Sequence, residues 1–232
     1  MLDISYLKYL ENNIWFSQLP ELFKQFILNH AQHHHYEKEQ KIFHTGDLFN
    51  GIYAVLEGAV RLGYIDINGN EAVAAIVEPI MWFGEISLVD HQPRSHDAIT
   101  VQKSIILHLP SADIENLLQK HPKFWYHIAQ LTSQKLRFAF LELISIQTQT
   151  LTQRLAQRLL FILNGYGSHL TIETNMIHVS QEQLAQMLTC SRQTVNQELQ
   201  QLEKLGLLKV YFRKIEILDF AHLHQIAHSV IE

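Results

Sequence analysis

Five polar side chains, Arg192, Gln193, Asn196, Gln197 and Gln200, fall at i, i+1, i+4, i+5 and i+8 of the run SRQTVNQELQQLEKLG. On a helix that spacing gathers them into one surface stripe. Their chemistry suits the edges of DNA bases: arginine is bidentate to guanine, and glutamine or asparagine is bidentate to adenine. In isolation the stripe would read as an ordinary solvated face. The next segment of the chain points further. LLKVYFRKIEIL alternates as two strands around Arg213 and Lys214, a wing whose tip offers two positive charges to a phosphate backbone.

The elements that must position the stripe are legible too. In VSQEQLAQMLTCSRQTV, Ser180 with Gln183 forms a capping-box start, and Leu184, Ala185 and Leu188 make the inward face of a short helix. Thr189 and Cys190 form a tight connection. Ser191 caps a second helix over 191–205, with Val195, Leu199, Leu202 and Leu205 inward and Gly206 as its C′ stop. Two capped helices with a brief turn are the helix-turn-helix plan, whose second helix enters the major groove. The residues expected at DNA are therefore Ser180, Ser191, Arg192, Gln193, Thr194, Asn196, Gln197, Gln200, Arg213 and Lys214, with the wing over Lys209 to Leu218.

Composition sets the bounds. A chain of 232 residues, 47% apolar, suits two modest domains or one large one. The net charge is −5, yet from Thr150 onward seven Lys+Arg balance seven Asp+Glu, so DNA attraction must come from a local patch. The longest fully apolar run, Ala72 to Val77, is far too short for a bilayer. The start MLDISYLKYLENN has no basic stretch ahead of an apolar core. A cytoplasmic protein with no membrane partner is expected. The single cysteine, Cys190, rules out an internal disulfide framework or a four-cysteine metal cluster from one chain, and burial in its turn is expected.

All five prolines precede residue 123, and six of the nine glycines fall between Gly46 and Gly84. Between them lie short strands: Ile52–Leu56, an alternating Val60, Leu62 and Tyr64, Ala72–Val77, and Ser104–Leu109. Asn68-Gly69 is a hairpin signal, since both residues tolerate positive φ. The pattern predicts a compact all-β roll. From Lys123 to Leu163 there is neither glycine nor proline, and Phe124, Ile128, Leu131, Leu136, Phe140 and Leu143 recur at helical spacing. Roughly 25 helical residues span about 40 Å. Their apolar stripe either packs back on the roll or forms a parallel dimer seam, which is the preferred reading. QTQTLTQ at 147–153 reads as a polar hinge. The expected fold is α+β: an antiparallel, jelly-roll-like β-roll with N-terminal helices in 1–120, a long dimerisation helix in 121–149, and a winged helix-turn-helix in 150–232.

These motifs carry a resemblance. TCSRQTVNQELQQLEKLGLL is similar to the recognition-helix signature of the Crp–Fnr superfamily, and GD…YAVLEGAVRL…NGNE…WFGEISL resembles the glycine frame of its roll at Gly46, Gly58, Gly69 and Gly84. The resemblance covers nearly the whole chain. It implies a homodimeric, non-enzymatic transcription regulator, activator or repressor, that reads a two-fold symmetric operator and has RNA polymerase as a further partner. Relative to the family's cyclic-AMP activators, Gln193, Asn196 and Gln197 replace Glu, Gly and Arg while Arg192 is kept, which implies an altered half-site.

In that family a phosphate cassette in the roll holds a cyclic nucleotide, and FGEISLVDHQPRSHDA is similar to it. Gly84 would let backbone approach a phosphate, and the helix start at Ile86 and Ser87 would offer unpaired N–H groups. Arg94 would supply the countercharge, Ser95 a hydroxyl, and Glu85 an acceptor for a ribose hydroxyl. Alternatively Glu85 and Arg94 pair with each other and pin an empty cassette. His96-Asp97 lengthens the segment after Arg94-Ser95 relative to the cyclic-AMP activators. Ala139 and Phe140 stand where those activators place Thr and Ser on adenine, so Phe140 either stacks on a base or plugs the pocket. The effector expected is a cyclic nucleotide or cyclic dinucleotide, or none.

Fifteen histidines raise a metal reading. Neighbours in His33-His34-His35 point to opposite faces of a strand, and His222, His224 and His228 near Asp219 complete no known ligand spacing. Surface histidines are expected. Two other classes compete: a cyclic-nucleotide-responsive interaction module without DNA binding, and a cupin-like metalloenzyme. The second lacks a His-x-His and carboxylate set within 41–110. The stripe and wing make separable predictions. Arg192→Ala should cost about 1–3 kcal/mol at one base position, whereas Lys214→Ala should weaken all duplexes alike, as read by binding to single-base operator variants.

Overall fold

The structure is a computed structural model that describes residues 4–69, 71–169 and 175–228. The outer ends of the domains expected from sequence, residues 1–3 and 229–232, and Asn70 of the NGNE run lie outside those residues. The described chain forms two compact units, residues 4–136 with 168–169, and residues 137–167 with 175–228.

The first unit opens with helices α1 (Ile4–Leu10), α2 (Ile14–Ser17) and α3 (Glu21–His30), then strands β1 (Gln32–Tyr36), β2 (Lys41–Phe43), β3 (Gly51–Glu57), β4 (Val60–Ile65), β5 (Glu71–Val77) and β6 (Trp82–Phe83). Helix α4 (Ile86–Asp90) leads to β7 (Asp97–Thr100), β8 (Ser104–Pro110) and α5 (Ser111–Lys120). Two antiparallel four-stranded sheets result, ordered β1-β8-β3-β6 and β2-β7-β4-β5. This is the expected roll. Strand β3 is apolar on both faces because both are covered. Ile52, Ala54 and Leu56 join Leu107, Leu109 and Trp82 in a core with Phe16, Phe23 and Ile27 of the short helices, while Tyr53 meets Phe43 and Phe83 inside the roll.

The β4–β5 turn differs from expectation. Gly69 N donates to Asp66 O (3.0 Å), so the turn centres on Ile67 and Asn68, and only Gly69 is left-handed (φ 82°). Asp66 Oδ1 accepts from Asn68 N (2.8 Å), an Asx turn that starts the reversal ahead of the Asn-Gly pair.

A 3₁₀ turn, Pro122–Phe124, precedes α6 (Trp125–Thr148). Ile128 and Leu131 are buried in the core of the first unit, and Trp15 Nε1 donates to His127 O (2.6 Å). Farther along, Leu136, Phe140, Leu143 and Ile144 are about half exposed. The stripe thus divides: its start packs on the short helices and roll, and its remainder is uncovered within one chain. The polar break is narrower than 147–153. Only Gln149 and Thr150 separate α6 from α7 (Leu151–Leu163), because Thr150 and Gln153 close a reciprocal capping box.

In the second unit β9 (Met176–Ile177), α8 (Gln181–Leu188), α9 (Arg192–Lys204), β10 (Leu208–Tyr211), β11 (Lys214–Ile217) and α10 (Phe220–His228) follow α7, with a sheet ordered β10-β11-β9. Its core takes Leu155 and Leu159 from α7, Leu184 and Leu188 from α8, Val195, Leu199 and Leu202 from α9, and Ile215 and Leu223 beyond. Arg158 and Glu142 form a mostly buried ion pair. Among the described residues no helix is long and apolar enough to cross a membrane.

Candidate nucleic-acid interface and effector cassette

The helix-turn-helix is built by local hydrogen bonds. Ser180 Oγ accepts from Gln183 N (3.1 Å), and Gln183 Oε1 accepts from Ser180 N (2.9 Å). Thr189 ends α8 in the left-handed region (φ 56°), which turns the chain so that Cys190 N reaches Ala185 O (3.0 Å). Ser191 Oγ then accepts from Thr194 N (3.0 Å) and sits 2.7 Å from the Thr194 hydroxyl. Cys190 is half-buried rather than buried, and burial pushes its thiol above the usual range.

Because Val195, Leu199 and Leu202 are fully buried, the opposite face of α9 must point outward. Arg192, Gln193, Gln197 and Gln200 are exposed there. Asn196 is half-buried, its Oδ1 accepting from Gln181 Nε2 (3.1 Å). Leu205 corrects an expectation: it is 65% exposed, not inward. The helix ends at Lys204, Gly206 turns the chain at φ 73°, and Leu207 takes the buried place instead.

In the wing, Tyr211 pairs with Lys214, so the turn residues are Phe212 and Arg213, and Lys214 opens the second strand. Phe212 is 89% exposed, and sequence reasoning missed it. The only signal was an aromatic pair, Tyr211-Phe212, at the crest of the alternation. The Arg213 guanidinium lies 5.9 Å from the Phe212 ring and Lys209 Nζ lies 5.4 Å from the Tyr211 ring. A groove of about 470 Å³ runs between the α8–α9 start and the wing, lined by Ser180, Gln181, Arg192, Tyr211, Phe212 and Arg213 among others. Among the described residues no ion pair engages Arg192, Arg213 or Lys214. The charged residues of the groove are Arg192 and Arg213 against Glu182, a locally positive balance on a chain that is acidic as a whole.

The cassette is arranged otherwise than expected. Arg94 is 3% exposed. Its Nη1 donates to Gly84 O (2.6 Å), and Nη2 donates to Gly51 O and Asn50 Oδ1 (2.6 Å each). The guanidinium lies 4.3 Å from the Phe43 ring centroid, 5.1 Å from Phe49 and 5.8 Å from Tyr53. Glu85, 1% exposed, accepts from Lys135 Nζ of α6 (2.5 Å). The alternative Glu85–Arg94 pair does not form, and two separate arrangements stand in its place. Gly84 (φ 90°) leaves room for them, since a Cβ there would lie 3.1 Å from Arg94 Nη1.

Of the other cassette residues, Ser87 is buried, Ile86 is 38% exposed, and exposed Ser95 shares a 3.0 Å contact with His96 Nδ1. Phe140 belongs to the second unit and is 56% exposed on α6. Burial lowers the pKa of Arg94, against the pull of Tyr53 and Glu85, and pushes that of Tyr53 up to about 12. Arg94 Nε and Glu85 Oε1 are buried without a hydrogen-bond partner, so the arrangement is not fully satisfied. A cyclic nucleotide's phosphate needs a cation that faces it. With both Nη atoms turned onto main-chain and amide oxygens, these residues do not fit that ligand as arranged.

On β1, His33 and His35 share a face with ring centroids 5.8 Å apart, and His34 stands 5.8 Å from His108. His224 and His228 stack at 4.2 Å. Among the described residues no three His, Cys, Asp or Glu side chains converge as a metal site.

A β-roll followed by a long helix and a winged helix-turn-helix defines a class of DNA-binding transcription regulators. Residues 33–121 match the cyclic nucleotide-binding domain family and residues 153–226 the Crp-like helix-turn-helix domain family. The chain is 31% identical over 204 residues to the cyclic AMP receptor protein of Thermus thermophilus, covering 88% of this chain and 91% of that one. It is 29% identical over 201 residues to the transcriptional regulator SdrP of the same organism, covering 83% and 96%. The solved structure of FixK2 from Bradyrhizobium japonicum shares the fold, with a TM-score of 0.76 at 20% identity over 87% of this chain and 99% of that one. The chain belongs to the Crp–Fnr family of transcription regulators and is not an enzyme.

Burial, and next the Lys135 ammonium, holds the His96 imidazole below the usual 6.5; Arg94 adds to this, while Glu85 and Asp97 oppose it. The unfolded chain therefore takes that proton first. Stability is complete above the unfolded value and falls as pH drops below it. His96→Gln should lose less unfolding free energy than the wild type between about pH 7 and pH 5, measured by denaturant titration at each pH. Equal losses would contradict the assignment.

Proposed function

We propose that the exposed stripe of α9 reads base edges in the major groove while Ser180, Ser191, Thr194, Arg213 and Lys214 hold the flanking phosphates. Arg192 takes a guanine, and Gln193, Gln197 and Gln200 favour adenine-containing positions. Asn196 acts with Gln181, which already holds its amide oxygen. The observation that carries this reading is the division of α9 into a fully buried apolar face and an outward face with an unpaired arginine.

The functional partition is then 1–120 as roll, 121–149 as the helix that joins two copies, and 150–232 as the DNA-binding part. The uncovered residues Leu136, Phe140, Leu143 and Ile144 supply the seam of a homodimer. Such a dimer reads a two-fold symmetric operator, works in the cytoplasm where the chromosome lies, and passes its effect to RNA polymerase. The Thermus relative is by name a receptor for cyclic AMP. In this chain Arg94 is held inside the roll and Glu85 on Lys135, so a cyclic mononucleotide would have to displace contacts the protein makes with itself.

The test is selection of binding sites from a random duplex pool with the full-length protein. Enrichment of inverted repeats whose half-sites lie about one helical turn apart is expected. Recovery of no sequence, or of a single unrepeated site, would contradict the reading.

A further inference from the structure

We propose that Phe212 is a minor-groove wedge, and that with Arg213 it lets the wing discriminate the DNA flanking each half-site. The inference rests on the DNA-binding reading and adds a contact to it. Along β10, Leu208 is buried and Val210 half-buried on the side that meets the core. The alternation continues to Phe212, but the hairpin has by then run past the core. The ring is left 89% exposed at the outermost point of the wing. A large apolar side chain this exposed on a turn is not explained by packing.

Its surroundings give the partner's chemistry. Arg213 follows at φ 57°, a left-handed conformation that glycine adopts without strain and arginine does not. Keeping arginine there costs stability, which points to a use for its side chain. Lys209 and Lys214 flank the tip, and no ion pair among the described residues neutralises Arg213 or Lys214. Cations around the exposed Phe212 ring and its neighbour Tyr211, with Glu182 the acidic group in the same groove, suit a surface that is anionic outside and apolar within. DNA has that character across its minor groove, where phosphates border sugars and stacked bases. The groove lined by both Arg192 and the wing makes the two contacts continuous. With α9 in the major groove, one phosphate strand lies along that groove, and the tip beyond it meets the neighbouring minor groove.

Apolar wedges inserted there partly unstack a base step, and pyrimidine–purine steps yield most readily. An arginine beside the wedge favours a narrow, A·T-rich groove. The specificity so created lies outside the bases that α9 touches.

Parallel selections from one random duplex pool, with full-length wild type and Phe212→Ala, test this. The wild type should enrich TA or CA/TG steps at a fixed distance outside each half-site. Phe212→Ala should enrich the same half-sites with featureless flanks, and bind the best wild-type duplex about tenfold more weakly. Its salt dependence should match the wild type, because no charge is removed. Phe212→Leu should keep most of the preference, and the thermal midpoint of Phe212→Ala should be unchanged, as its ring lies outside the core. If Phe212→Ala retains wild-type flanks and affinity, the wedge is refuted while the DNA reading stands, and a protein partner becomes the occupant of the tip. If the wild type enriches no sequence at all, the DNA reading fails and the wedge with it.

Discussion

The roll is organised around one desolvated charge. A guanidinium removed from water is costly unless its donors are met and its charge is balanced. Arg94 meets most of that demand with the carbonyls of Gly84 and Gly51, the amide oxygen of Asn50, and aromatic faces on its flanks, while its Nε stays buried without a partner. The main chain joins in, with Gly46 N donating to Arg94 O and Arg94 N to Asp47 O, both at 2.8 Å. Several separate features then have one cause: no Cβ at Gly84, a ring of Phe43, Phe49 and Tyr53, and a loop at 46–47 fastened to the segment after α4. Hydrogen bonds from a charged donor contribute roughly 1.5–3 kcal/mol each. An incoming phosphate would have to replace these three bonds or use the donors they leave over, Nε–H among them.

Glu85 is fixed by a different element. Lys135 reaches it from the long helix, so a contact fifty positions apart in sequence ties the cassette to α6 within the first unit. One carboxylate oxygen of Glu85 is thereby held by a side chain of the protein itself, while Oε1 stays buried without a partner. At the other end of the chain the division of labour is simpler. A buried leucine and valine face fixes how α9 sits, and that leaves its polar face no choice but solvent or DNA.

Features set by neighbours in sequence were readable from it. The Ser180–Gln183 box, the Ser191 cap, the Gly206 stop and the strands around Ile52–Leu56 and Ser104–Leu109 all depend on spacing, turn chemistry and periodicity. Features set by distant partners were not. Nothing local says that Arg94 turns toward Gly51 or that Glu85 meets Lys135. Leu205 obeyed the helical period, yet the helix ends at Lys204 and the turn at Gly206 brings Leu207 to the core instead. Phe212 likewise kept the strand alternation after the surface beneath it had run out. In the β4–β5 turn a strong dipeptide signal lost to the Asp66 carboxylate, whose bond to Asn68 N shifts the reversal. Periodicity states which side a residue faces; it does not state how far the packed surface extends.

The self-held Arg94 is most directly tested by calorimetric titration of the full-length protein with cyclic AMP. No saturable heat is expected up to about 1 mM nucleotide, the concentration corresponding to a binding free energy of about −4 kcal/mol, and the unfolding temperature should not rise. A saturable isotherm with one site per chain, abolished by Arg94→Met, would show that the guanidinium leaves its carbonyls for a phosphate and would contradict the arrangement described.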